Sequence, residues 1–217
     1  MSNLLNDCIV SSITNKETYD WLLYKHYLKR VPSISYSFGL FYKSVLSGVV
    51  TYGVPASNSL CVGLCGKEYK SIVLELNRVC INDELPSNTA SFFISRTFKL
   101  LPKPKILVSY ADKSFGHTGY IYQATNWIYT GLSDKRRERY DPNDEEKHGR
   151  HLFSLDLPLR DRPRKHRYVY FLGSKKTRIK LKNSLKYPIE DYPKFKNKNY
   201  DASFKPNTQV DMFLESE

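Results

Sequence analysis

A mixed α/β fold, with a central mixed sheet flanked by helices, is predicted by three features of the chain. Short apolar runs of strand length recur along it, capped amphipathic stretches of helix length separate them, and proline or glycine stands at most junctions. No internal repeat interrupts this pattern.

Taken in order, Cys8-Ile-Val-Ser-Ser-Ile13 reads as a first strand, and Thr14-Asn-Lys-Glu17 has the capping-box pattern that opens a helix. That helix carries Tyr19, Leu22 and Leu23, reaches His26 and stops before Pro32. Ile34 to Leu40 and Ser47 to Tyr52 flank a short Lys-Ser turn, which predicts a hairpin. A loop holding Cys61 and Cys65 follows, then a strand from Ser71 to Val79. Pro86-Ser-Asn-Thr89 opens a helix with Phe93, Ile94, Phe98 and Leu101 on one face, ended by Pro102 and Pro104. Lys105 to Tyr110 reads as a strand buried on both faces, a helix is expected after Gly116, and Trp127 to Gly131 begins another strand. Residues 133–165 read as polar, with an exposed loop at Asp141 to Lys147. His166 to Leu172 is the last strand, and Lys175 to Lys186 a basic helix. The succession of strand, helix, hairpin, strand, helix, strand, helix and strand is similar to that of the GNAT acyltransferase fold. One catalytic domain over 1–186, basic from about 133, and an extended tail over 187–217 are expected.

With 41% hydrophobic and 14% aromatic residues in 217, the chain can bury a substantial core and is not a disordered polyelectrolyte. No apolar run reaches membrane-spanning length and no signal peptide opens the sequence, so no membrane partner and a cytoplasmic location, that of a bacterial host, are expected. Four cysteines with one Cys-x-x-x-Cys pair read as buried thiols rather than a zinc site. The net charge is +12, and its surplus is concentrated late: Ser133 to Lys198 hold 20 Lys and Arg against 10 Asp and Glu. Basic residues interleaved with Tyr and Phe suit a nucleic acid, because neutralised phosphates release counterions and aromatic rings stack on bases. A solvated surface is the plainer alternative. The predicted DNA contacts are Arg136, Arg137, Arg139, Arg164, Lys165, Arg167, Lys175, Lys176 and Arg178.

Chemistry concentrates in Ser109 to Trp127, where a strand end carries Tyr110 and Asp112 and two glycines bracket His117 and Thr118. Ligands of open α/β sheets lie at such strand ends. Asp112 and His117 suit a general base, a metal-ligand pair, or a helix cap that orients a histidine. On an ideal helix His117 and Tyr122 would point about 140° apart. Arg78, at a strand exit, suits a carboxylate or phosphate, or a plain ion pair. Ser91 and Ser95 share a helix face, which also suits close packing. His26-Tyr27 sits at a helix end, and His148 and His151 lie in a polar loop reminiscent of nuclease loops.

Several of these motifs, in the same order, resemble the Mom family of phage DNA-modification proteins. They are His26-Tyr27, Pro32-Ser33, Tyr36 to Leu40, Tyr110-Ala-Asp112, Gly116 to Gly119, Ile121 to Ala124, Asn126-Trp127 and His166 to Gly173. The resemblance spans roughly residues 20–193. It implies a GNAT-like transferase that attaches a carbamoylmethyl (acetamido-type) group to the exocyclic amine of adenine in double-stranded DNA, protecting it from host restriction. It also implies iron, held by His26, Tyr27 and Tyr122, with Arg78, Ser95 and Asp112 at the other functional positions. Acetyl-CoA or a related molecule is the donor class. One departure stands out: Arg78 to Asn88 contains no glycine where GNAT enzymes usually cradle the coenzyme A pyrophosphate. A conventional acetyl-CoA-dependent N-acetyltransferase and a non-enzymatic DNA-binding protein are the competing readings.

Overall fold

The computed structural model describes residues 7–143 and 156–194. Nine strands lie among the described residues: β1 (Cys8–Ser12), β2 (Tyr36–Tyr42), β3 (Val45–Gly53), β4 (Val73–Ile81), β5 (Lys105–Asp112), β6 (Ile128–Leu132), β7 (Arg136–Arg139), β8 (Leu159–Arg162) and β9 (Lys165–Leu172). Seven form one sheet in the order β1-β2-β3-β4-β5-β9-β6, and β7 with β8 forms a separate ribbon. Every neighbouring pair is antiparallel except β4 with β5. The fold is GNAT-like, as the order of elements predicted. Lys43 and Ser44 both take positive φ (49° and 64°), the geometry that lets a two-residue turn join β2 to β3 without splaying them.

Four helices pack on the sheet: α1 (Asn58–Cys65), α2 (Thr89–Leu100), α3 (Tyr120–Gln123) and α4 (Lys175–Asn183). Phe93, Ile94 and Phe98 of α2 join Leu74, Leu76, Leu107, Tyr122 and Trp127 in the main core. A second cluster sets Cys61, Leu64 and Cys65 of α1 and Leu181 of α4 against Val73, Ile106, Val108, Val169 and Phe171. A third joins Trp21 and Leu22 to Phe41, Leu46, Val49 and Cys80. All four thiols are free and buried, as their sequence context suggested. None of the helices among the described residues is long and apolar enough to cross a membrane.

The structure departs from expectation where local pattern and tertiary packing disagree. Glu17 does close the capping box, accepting the Thr14 N–H at 2.6 Å, but the helix it opens breaks into a 3-10 turn (Lys16–Thr18) and a π-helical turn (Trp21–Lys25). The His26 N–H donates to the Trp21 carbonyl five residues back, which lets both Trp21 and Leu22 reach the third core cluster. The Cys61–Cys65 segment is a helix, α1, capped by the Ser57 hydroxyl on the Leu60 N–H. Inside 133–165, the polar ribbon of β7 and β8 forms through cross-strand charge pairs, Glu138 with Arg160 and Arg162, and Arg137 with Asp161. The loop beyond Asn143, with His148 and His151, lies outside the described residues.

Residues 184–194 run back over the domain. The Lys186 and Glu190 N–H groups donate to the carbonyls of Leu64 and Tyr129, and the Tyr192 hydroxyl to that of Trp127. Arg167, expected among the DNA contacts, is buried instead. Its Nε and Nη2 donate to Thr130 at 2.9 and 3.0 Å, and its guanidinium lies 3.5 Å from the centre of the Tyr187 ring, so it clamps β9, β6 and the following segment together.

Two stability effects follow. Gly119 has φ 80°, and a Cβ there would overlap the Tyr168 ring and lie 3.0 Å from that of Tyr122. Gly119→Ala should lower unfolding free energy by about 1–3 kcal/mol in urea titration. Arg167→Met should cost about 2–4 kcal/mol by the same measurement, because the Thr130 and Tyr187 contacts lose their partner.

Candidate active site

The two parallel strands stay together only briefly. β4 and β5 pair at Val73 with Ile106, Leu74 with Leu107 and Glu75 with Val108, and then part. At the fork the Ser109 hydroxyl donates to the Leu76 carbonyl at 2.7 Å, satisfying a backbone group that the ladder no longer reaches. Having used its proton there, Ser109 accepts from the Tyr122 hydroxyl at 2.8 Å. The gap between the strands opens a cleft of about 1110 Å³ that is lined from both sides of the sheet. Asn88, Thr89 and Ala90 at the start of α2 contribute to one side, and His26, Tyr27, Ser57 and Leu60 to the other.

His26, Tyr27, Arg78, His117, Tyr122, Arg136 and Lys165, all predicted from the sequence as site or DNA-contact residues, line this single cleft, and Arg167 reaches it from its clamp. Arg78 stands on β4 and is 6% exposed. One of its terminal nitrogens donates to the Asn77 carbonyl at 2.6 Å, while its Nε is buried without a partner. Burial above all, aided by the Arg30 charge, pulls its pKa down to about 10, so it is a cation at neutral pH. His26 is pulled down to about 3 by burial and by the charges of Arg78, His117, Lys165 and Arg30, and is therefore neutral. Its Nδ1 accepts the Leu28 N–H at 3.1 Å, which leaves the ring proton on Nε2.

Asp112 ends β5 and reaches the cleft only through other residues. It is buried, and burial alone would raise its pKa. The ion pair with Lys165 at 2.6 Å and hydrogen bonds from the Ser114 N–H and hydroxyl outweigh that and hold it below its ordinary value. The same contacts cap a 3-10 turn (Lys113–Phe115), and the His117 N–H donates to the Asp112 carbonyl. His117 thus lies on a turn ahead of α3, whose single helical turn begins at Tyr120, so an ideal-helix angle between His117 and Tyr122 does not apply. Burial lowers the His117 pKa against the opposing pull of Asp112. The Tyr27 ring stacks on His26 at 4.5 Å and meets His117 edge-on at 5.5 Å.

Ser95 does not join them. It sits on the exposed face of α2 and donates to the Phe92 carbonyl, because the opposite face of that helix is the one the core buries. Arg164 and Arg139 are also engaged with backbone, at the Ser133 and Leu157 carbonyls respectively. Arg136 and Arg137 on β7, and Lys175, Lys176 and Arg178 on α4, are exposed. Sequence reading passed over Ser109, a hydroxyl within an apolar strand run, and Phe115, which packs 4.5 Å from Tyr27.

His26, Tyr27 and Tyr122 do not fit an iron centre as folded. The His26 Nδ1 and the Tyr122 hydroxyl already have protein partners, and burial pushes both phenols up, Tyr122 to about 12, against the phenolate form that iron favours. Arg78 adds its positive charge beside them. Among the described residues no cluster of three His, Cys, Asp or Glu side chains offers an alternative.

Comparison with known proteins gives this site a lineage. The methylcarbamoylase mom of Escherichia phage Mu is 26% identical over 187 residues, 78% of this chain and 77% of that protein. Among solved structures, an N-acetyltransferase from Staphylococcus aureus Mu50 overlaps at a TM-score of 0.45 with 13% identity, covering 76% of this chain and 99% of its own. The Drosophila melanogaster polyamine N-acetyltransferase overlaps at 0.45 with 11% identity, covering 76% and 100%. The GNAT-like assignment rests on the strand order and the single parallel pair. A model of the Mom protein family matches residues 7–194, which takes in the whole cleft, and the chain belongs to that family.

Proposed function

We propose that this chain transfers a carbamoylmethyl group to the exocyclic amine of adenine in double-stranded DNA and so shields phage DNA from host restriction enzymes. The observation that carries this reading is the cleft through the fork of β4 and β5, with an incompletely paired Arg78 and a neutral His117 in its walls. Family membership and the name of the phage Mu relative, a methylcarbamoylase, support transfer of a small carbamoyl-containing group. The exposed cations of β7 and α4 support a polyanionic substrate.

Adenine's amine is a poor nucleophile, so its attack needs an activated donor and a proton acceptor. As the N–C bond forms and the donor's leaving group departs, the amine releases a proton. His117, held neutral by burial, has the lone pair to take it, and the Asp112 carboxylate steadies the imidazolium that results. Arg78 stabilises negative charge on the donor or its leaving group. Asp112 is a positioning residue here, since Lys165 and Ser114 occupy both of its oxygens. At the start of α2, where a coenzyme A thioester would approach, Asn88 takes a left-handed conformation (φ 69°) that glycine would otherwise supply, but such a donor delivers an acyl group and not a carbamoylmethyl group. This feature favours a second reading, an ordinary acetyl-CoA-dependent amine acetyltransferase.

Nucleoside mass spectrometry of plasmid DNA co-expressed with the protein should show deoxyadenosine heavier by a carbamoylmethyl group. Unmodified deoxyadenosine, with acetylation of a small amine in its place, would move the assignment to the second reading. His117→Gln and Arg78→Met should each lower modification by roughly a hundredfold. In a pH–rate profile the acidic limb should fall below pH 6.5, the ordinary histidine value, because only protonation of His117 removes the base. That limb should vanish in His117→Gln.

A further inference from the structure

The turn that Asp112 caps carries an aromatic side chain with no role in the chemistry above. Phe115 is 42% exposed although it belongs to a cluster of rings. Its centroid lies 4.5 Å from that of Tyr27 and 6.1 Å from that of His117, both of which line the cleft. His26 stacks on Tyr27 in turn, so four rings run from the buried wall of the cleft out to Phe115, which packs on its lining residues without itself lining it. Unlike an isolated surface side chain, this ring is held in place by Tyr27 and His117 while part of it stays open to solvent, where a planar partner can stack. Its surroundings are cationic: Lys113 is exposed two residues before it, and Lys165 is joined to the same turn through Asp112. An apolar ring flanked by ammonium groups complements a nucleotide, whose base is planar and whose phosphate is anionic.

Resting on the DNA-modification reading, we infer that Phe115 is a stacking platform that holds the extruded target adenine at the cleft edge and delivers its amine toward His117. Asp112 serves the platform as well as the imidazole. Its bonds to Ser114 and Lys165 fix the turn that ends at Phe115, and its carbonyl accepts the His117 N–H just beyond, so ring and base keep one spacing. A base cannot reach chemistry inside the duplex and must leave the stack, and a preformed ring offsets the stacking it gives up.

The test compares binding of the full-length protein to a duplex with one unpaired adenine and to the same duplex fully paired. Wild type should prefer the unpaired adenine. Phe115→Ala should lose roughly tenfold in that preference while its affinity for the paired duplex and its salt dependence stay unchanged, and Phe115→Trp should restore the preference. Retention of the full preference in Phe115→Ala overturns the platform and leaves the modification reading standing. A wild-type protein that modifies plasmid adenine yet shows no preference for the unpaired base also overturns the platform. A wild type that neither modifies adenine nor binds DNA overturns the function reading, and the platform with it. Far-ultraviolet circular dichroism of both variants confirms that the comparison is between folded proteins.

Discussion

The site depends on the divergence of two strands that begin as hydrogen-bonded neighbours. Three paired residues hold β4 to β5, and beyond Glu75 and Val108 the ladder opens. An open ladder inside a sheet exposes backbone groups that must find partners, since an orphaned buried carbonyl is destabilising by a few kcal/mol at most sites. Ser109 supplies the first of them, on Leu76, and Tyr122 is anchored through that same hydroxyl. The fork is therefore stabilised by residues that also shape the cleft it opens.

Electrostatics then decide what this gap can hold. Burying a guanidinium is unfavourable unless it is hydrogen-bonded and paired. Arg78 is buried with one backbone hydrogen bond and an unpartnered Nε. Burial first, and then the charges of Arg78, Lys165 and Arg30, keep His26 uncharged. A group of cations around neutral imidazoles favours an anionic ligand over a metal cation. It also explains why the nearest buried carboxylate, Asp112, is tied up with Lys165: the pair prevents one positive charge from adding to the others at full strength while keeping the lysine at the rim.

Much of this was legible from the sequence because the pattern is local. The seven strands of the main sheet are marked by their apolar runs, the β2 and β3 turn by Lys43-Ser44, and α2 by its apolar stripe and flanking prolines. His117 was marked by its glycine-bracketed turn after a strand end, but the gathering of His26, Tyr27, Arg78 and Tyr122 with it on one cleft was legible only through family resemblance, for no spacing places a residue at 26 beside one at 117. What failed, failed for physical reasons. The α1 segment has a glycine and two cysteines, which read as a loop, and becomes helical because Cys61, Leu64 and Cys65 gain burial against β5 and β9. The β7 and β8 ribbon has no apolar alternation, since ion pairs across the strands take its place. Arg167 looked accessible by residue type and Ser95 looked like a site residue, but β9 turns the first into the core and α2 turns the second out to solvent, away from the cleft lining.

The π-helical turn before His26 shows how packing and function are joined here. A regular α-helix over 16–26 would advance about 100° per residue, and inserting one extra residue in a turn rotates everything after it. That rotation lets Trp21 and Leu22 fill the third core cluster while His26 and Tyr27, only five residues on, face the cleft. Core and site thus make opposite demands on one short segment, and the widened turn meets both. The His26 N–H that closes the turn on the Trp21 carbonyl is the joint between them, so a change that restores regular helical winding would shift Tyr27 away from His117 even though every side chain in the site is intact.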